Sequence, residues 1–268
     1  MPLGICVLID WTLKVSTLCT SSPKEYVASP RQLANPPLRE ALIDILHVNE
    51  LPVAFVEKIG DLSIPGFKPK IPITTGMFEI KLGPPAEATK KKEDPVGWRF
   101  ESEDGSRVAQ IRQNGLTYSI LKGYTTWNEI RDATRQIWDL YLNKISDSVT
   151  VGRTAARYIN VLEFPGPIEL NDYLTAGPRI PENLPQTLDN FIQRILVRYN
   201  QDIQVAITQT SEPSPNGIVR IILDIDVFSP KTIEGRSSEL WTHADTLRAA
   251  KNAVFFSSVT ELALEKYA

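Results

Sequence analysis

Residues 98–103, 106–113 and 116–121 are three short runs of alternating apolar and polar side chains, separated by Asp104-Gly105 and Asn114-Gly115. A period of two puts successive side chains on opposite faces of a strand. Asp-Gly and Asn-Gly suit type I′ turns, because both central residues there need positive φ. The stretch therefore predicts an antiparallel meander with these dipeptides at its turns. A meander leaves an apolar face that something must cover. The cover follows directly: Trp127, Ile130, Thr134, Ile137, Trp138, Tyr141 and Ile145 recur at steps of three and four, as one stripe of a helix. Thr126 and Glu129 form a capping box at its start. Its two Trp and one Tyr are read as core against the sheet, not as a stacking platform.

The layout then repeats. Residues 148–164 form a long strand candidate, ended by Pro165-Gly166-Pro167 and followed by a possible helical turn at 169–174. Residues 191–199, 203–210 and 218–228 are rich in β-branched side chains and predict a second meander, although 191–199 also reads as a helix. A long helix follows from Ser237, with Leu240, Trp241, Ala244, Leu247 and Val254 at helical spacing, and Ser258 with Glu261 suggests a restart. Strands followed by a helix, twice, predict an α+β fold. Its core is a largely antiparallel curved sheet made of two strand-meander-plus-helix halves, with two long helices packed on the sheet. The halves share layout and no sequence identity.

Upstream, residues 38–46 fit a strand through Ala41, Ile43 and Ile45, or a short helix; a strand is favoured. Residues 50–75 are punctuated by proline and predict short, irregular elements. Residues 77–82 alternate as a strand, and 83–97 read as a solvated loop in which Glu87, Glu93 and Asp94 offset the three lysines at 90–92. Residues 1–32 are expected to be a poorly structured extension, and 33–268 a single domain. An alternative to their belonging to the natural product is that residues 1 to about 26 lie outside it, with Val27 at an alternative start codon. The apolar run at 3–9 is far shorter than the ~20 residues that span a bilayer. It also lacks a cationic start, so a cytoplasmic location is expected, with no membrane association.

Composition narrows the chemistry. The formal charge of -3 argues against a sequence-independent grip on nucleic acid. Two cysteines, Cys6 and Cys19, supply neither a disulfide framework nor a Cys-based zinc site. His47 and His243 have no metal-ligand spacing around them. No phosphate loop, dinucleotide fingerprint or nucleophile elbow is present. No metal or cofactor is expected, and no catalytic residue is assigned.

Three constellations remain as ligand or partner candidates. Asp224 and Asp226 share one strand face, opposite Leu223, Ile225 and Val227. Paired carboxylates of this kind hold divalent cations, split acid and base roles, or pair with arginines. Arg153, Arg157, Tyr158 and Asn160 form the second group, in which an arginine on a partly apolar face needs a carboxylate or phosphate. Asp224 or Asp226 across the sheet is the economical partner. Lys251, Asn252, Phe255 and Phe256 form the third. Two adjacent Phe cannot both face the core along one helical stripe, so one fills a gap between helices or stands exposed for a partner.

Several of these residues recur in a wider pattern: Arg157-Tyr158-Ile159-Asn160, Pro165-Gly166-Pro167, Asp172-Tyr173-Leu174, and Leu223-Asp224-Ile225-Asp226-Val227-Phe228. It continues through Leu247-Arg248, Lys251-Asn252, Phe255-Phe256 and Ser258-Val259-Thr260, and opens at Asn35-Pro36-Pro37-Leu38-Arg39-Glu40-Ala41. In this combination the chain resembles a sporadically distributed family of uncharacterised prokaryotic proteins of similar length, with no established activity. The resemblance covers about residues 33–267, and 47–75 depart from the helical stretch that the family has there. It implies one domain and carries over no catalytic residues. A patchy distribution is typical of genes that travel with mobile elements or defence islands, which is association and not mechanism.

The functional expectation is a non-enzymatic component that binds a protein partner, as an accessory or regulator in a stress or defence module. An exposed aromatic patch at Phe255 and Phe256 would support it. One alternative is a small-molecule or metal-dependent hydrolytic pocket between sheet and helices, lined by Arg153, Arg157, Asp224 and Asp226. The other is nucleic-acid binding through a local basic face.

Overall fold

The computed structural model describes residues 27–268 apart from 50, 53, 75–77, 82–86, 91–94, 146–147 and 215–216. The first half of the chain contains β1 (Leu38–His47), α1 (Ala54–Gly60), β2 (Ile71–Thr74), β3 (Phe78–Lys81), β4 (Glu87–Lys90), β5 (Pro95–Glu101), β6 (Arg107–Arg112), β7 (Gly115–Ile120) and α2 (Trp127–Leu142). The second contains β8 (Thr150–Pro165), α3 (Leu170–Tyr173), β9 (Ile192–Arg198), β10 (Gln204–Glu212), β11 (Ile218–Ser229), β12 (Ile233–Glu234), α4 (Glu239–Ser258) and α5 (Glu261–Leu264). A 3₁₀ turn, Glu265–Tyr267, follows.

The fold is α+β, built on a curved, unclosed antiparallel sheet with the order β2-β5-β6-β7-β1-β8-β11-β10-β9, and β12 beside β8. The repeated layout becomes topology. From the central β1·β8 pair, each half runs outward through the last, middle and first strand of its own meander. Residues 38–46 and 191–199, each readable as helix, are both strands. β1 is paired on both sides, to β7 and β8, and β9 is held by β10. Pairing partners distant in sequence settle what a short apolar run leaves open.

Alternation along the strands divides the sheet into two unlike faces. Ile43 and Ile45 of β1, Leu116 and Tyr118 of β7, and Leu223, Ile225 and Val227 of β11 lie on one face and are buried. Helices α2 and α4 cover that face: α2 rests on β7 and β1, and α4 on β8 and β11. Every residue of the α2 stripe is buried, with Trp138 stacked on Tyr141 and its indole N–H donating to Gly235 O at 2.8 Å. Thr126 caps α2 by accepting from the Glu129 N–H, while the Glu129 carboxylate turns away to Thr125 and Arg107.

Local readings are corrected at several places. The β5–β6 connection is four residues long, because Ser102 N–H donates to Arg107 O. Asp104 holds that loop by accepting from the hydroxyls of Ser102 and Ser106 and from the Ser106 N–H. Between β6 and β7 the turn is Gln113-Asn114, and Gly115, paired with Arg112, is already the first strand residue. The span read as a loop at 83–97 contains β4 and the start of β5; residues 91–94 lie outside the described residues. The restart after α4 is capped by Thr260, which accepts from Ala263 N–H, and not by Ser258, whose hydroxyl donates back to Val254 O. Contacts of the chain begin before residue 33. Ala28 is buried with its N–H on Val259 O, and Arg31 pairs with Glu261. The readings for residues 1–26 lie outside the described residues.

Gly115 marks how tightly β7 meets β1. Its φ is 149°, and a Cβ there would lie 2.0 Å from Ile45 O. Gly105, with φ 69°, has open space around it. Gly115→Ala is expected to destabilise the fold by about 2–3 kcal/mol, because β1 and β7 must part. Gly105→Ala should cost about 1 kcal/mol, for backbone conformation alone. Urea midpoints of the two variants check the difference.

Candidate functional site

The sheet face away from α2 and α4 carries the first candidates. Arg153 and Arg157 of β8 point there, as do Asp224 and Asp226 of β11. Arg157 grips Asp224 with two bonds, Nε to Oδ1 at 2.8 Å and Nη2 to Oδ2 at 2.6 Å. Arg153 reaches both ways across the sheet, to Asp226 at 3.1 Å and to Asp44 at 2.5 Å. Asp44, from β1, is a hub: it also accepts from Arg112 at 3.1 Å and from the Thr117 hydroxyl at 2.5 Å. Asp44 is 9% exposed and was not singled out from the sequence. Its signal was a carboxylate inside the apolar run at 38–46.

Charge on this face is paired internally. Arg112, Arg153 and Arg157 meet Asp44, Asp224 and Asp226 in ion pairs, with the Glu40 carboxylate beside them. Hydrogen bonding to Asp224 raises the Arg157 pKa. Burial raises that of Asp226, with Arg153 and Arg157 opposing and the carboxylates of Asp224 and Asp44 adding to it. Asp44, Arg112, Arg153, Arg157 and Asp226 line a depression of about 340 Å³.

Tyr158 and Asn160, grouped with these arginines by sequence, lie on the opposite face. Alternation along β8 sends them under the helices, where they are 3% and 5% exposed. The Asn160 side-chain amide donates to Leu223 O at 3.1 Å. Tyr158 shares a hydrogen bond of 3.0 Å with the Tyr124 hydroxyl. Its ring lies beneath Lys251, with Nζ 3.8 Å from the centroid. Lys251 has no ion-pair partner among the described residues. Burial, reinforced by neighbouring Arg248, pushes its pKa down from the ordinary 10.5 to about 7. Asn252 is partly buried beside it on α4.

Phe255 and Phe256 do not form an exposed patch. Each is 7% exposed, and their rings meet edge to face with centroids 5.2 Å apart. Chain segments converge beyond the end of α4: Ala28 N–H donates to Val259 O, Thr175 N–H to Ser258 O, Thr260 N–H to Tyr173 O, and Asn35 N–H to Tyr267 O. Both ring directions are thereby covered.

The edge strand β9 was also missed as a site. Ile192 is 78% exposed and Leu196 63%, with Ile195, Val197 and Tyr199 exposed beside them. Its residues looked like core in sequence, and its place at an edge is a property of the strand order. Among the described residues, no three His, Cys, Asp or Glu side chains cluster as metal ligands, and no helix is long and apolar enough to cross a membrane. No protein-family model matches the chain, and no curated protein does.

Two outcomes test these assignments. Asp44→Ala leaves two arginines without their shared acceptor and is expected to cost about 3–4 kcal/mol. Replacing Arg157 and Asp224 together by Met and Leu should be close to neutral by the same reasoning. Denaturant titration separates them. For Lys251, the unfolded chain binds more protons than the folded one between pH 7 and 10.5. This residue therefore makes stability rise with pH across that window. Lys251→Met should stabilise the fold at neutral pH, with the gain vanishing toward pH 10.5. Thermal melts across the window read the slope.

Proposed function

We propose that this protein is a non-enzymatic binding component that docks a protein partner along the free edge of β9. The observation that carries this reading is the chemistry of that edge. Ser211 N–H donates to Phe191 O and Tyr199 N–H to Ile203 O, which sets the phase of the β9·β10 ladder. Antiparallel pairs alternate, so Gln193, Ile195 and Val197 aim their backbone groups at β10. Ile192, Arg194, Leu196 and Arg198 aim theirs outward, where no described residue pairs them.

Sheet edges are ordinarily blunted by short length, proline or charge. β2, at the other edge, is four residues long and contains Pro72. β9 is seven residues long, has no proline, and exposes apolar side chains on both faces. Arg194 and Arg198 make no ion pair among the described residues. An extended partner segment with acidic residues opposite these arginines and apolar residues opposite Ile192 and Leu196 fits the edge.

A pocket reading draws on the depression beside Asp44. Its arginines are already held by carboxylates, so an anionic ligand there must displace an ion pair. Stabilisation by Mg²⁺, Mn²⁺ or a nucleotide, lost on Asp224→Asn, would favour it.

The edge reading is tested by native mass spectrometry of the tagged chain from cells that normally make it. Leu196→Pro removes an outward N–H and leaves the β10 ladder intact, so the fold should persist while a co-purified protein is lost. Hydrogen exchange at Ile192, Arg194, Leu196 and Arg198 should be fast in the bare chain and slowed in the complex. A partner retained by Leu196→Pro, or a chain that always emerges bare, overturns the proposal.

A further inference from the structure

A half-buried ammonium with no acceptor is a costly arrangement, because transfer from water removes its hydration and nothing here replaces it. Lys251 is in that position over the Tyr158 ring. Among the described residues, no carboxylate pairs with it. Arg248, three residues earlier on α4, lies on the same side of the helix, is exposed, and has no ion-pair partner among the described residues. Arg248 acts electrostatically on Lys251, Tyr124 and Tyr158 alike, in keeping with its place one helical turn from Lys251. Glu129 acts on Tyr124 from the far side, but its carboxylate is occupied by Arg107 and Thr125. The two tyrosine hydroxyls share one hydrogen bond, so one of the two protons stays free to donate elsewhere.

From this juxtaposition we infer that Lys251, Arg248 and the Tyr124–Tyr158 hydroxyl pair form a binding site for a phosphate group. The chemistry favours a tetrahedral oxyanion. The guanidinium offers a planar fork, the ammonium a point charge, and the hydroxyl pair a neutral donor, so one multivalent acceptor satisfies all of them. The aromatic face beneath Lys251 holds the ammonium in place without neutralising it. The site lies beside α4, on the covered face of the sheet, and is separate from both the Asp44 cluster and the β9 edge. It stands independently of the partner-docking reading.

Anion binding must return a proton to Lys251 wherever the free amine is neutral, and this gives a distinctive signal. The probe is inorganic sulfate, which mimics phosphate and does not itself titrate. Calorimetric titration of the full chain in buffers of different ionisation heat should show proton uptake at about pH 8.5, and little at about pH 6, where the amine is already protonated. Lys251→Met should weaken sulfate binding at least tenfold and abolish the uptake. Arg248→Gln, at an exposed position that leaves folding intact, should weaken binding about tenfold and keep the uptake, which corresponds to about 1.4 kcal/mol. Inorganic phosphate and phenyl phosphate, compared next, separate the free ion from a phosphomonoester, and the tighter of the two is the ligand class. Absence of saturable sulfate binding, or binding unchanged in both variants, overturns the site. Equal affinity without proton uptake in the wild type removes Lys251 from it.

Discussion

The molecule is organised around one long strand. β8 runs for sixteen residues and pairs with β1 on one side and with β11 and β12 on the other. Because strand side chains alternate with period two, a single residue of slip would exchange the two faces along its whole length. Both constraints act on β8 together. Ala156, Tyr158 and Leu162 must go under the helices, while Arg153 and Arg157 must meet Asp44, Asp224 and Asp226 on the other side. An apolar contact or an ion pair alone fixes register less firmly than the two do jointly. The two halves of the chain, alike in layout, are joined across this strand.

That division separates chemistry that is adjacent in sequence. Arg157 and Tyr158 are neighbours in the chain, yet one belongs to an ion-pair cluster and the other supports an unpaired lysine. The open face spends its charges on itself, which suits a structural lattice. The covered face carries Lys251, which has no ion-pair partner among the described residues. The edges differ in the same way. β2 is short and carries proline, as expected of an end that must not pair, whereas β9 is longer and apolar. A partner strand there would extend the existing ladder without disturbing either face.

Much of the architecture was legible because it depends on local patterning. The alternating runs at 98–121, the helical stripe from Trp127 to Ile145 and its Thr126 cap each follow from spacing alone, and each is present. Turn details were less so. Asn114-Gly115 looked like a type I′ pair, but Gly115 serves a close approach of β1, a contact between residues about seventy apart in the chain. Phe255 and Phe256 looked irreconcilable with a single stripe. They are both buried, and segments at 28 and 173–175 hydrogen-bond to residues 258–260 just beyond them, which no helical wheel includes.

The sequence by itself determined the fold class, the two-part layout and the helices that cover the sheet, and it offered the LDIDVF carboxylates as one economical partner for Arg153 and Arg157. These follow from periodicity and from the cost of burying a charge alone. Tertiary structure decided three further things. It made Asp44 the hub of the ion pairs, brought Tyr124, Tyr158, Arg248 and Lys251 into one place, and left β9 at an unpaired edge. Each depends on which strands become neighbours, and strand order is set by the packing of the whole sheet and not by any segment within it.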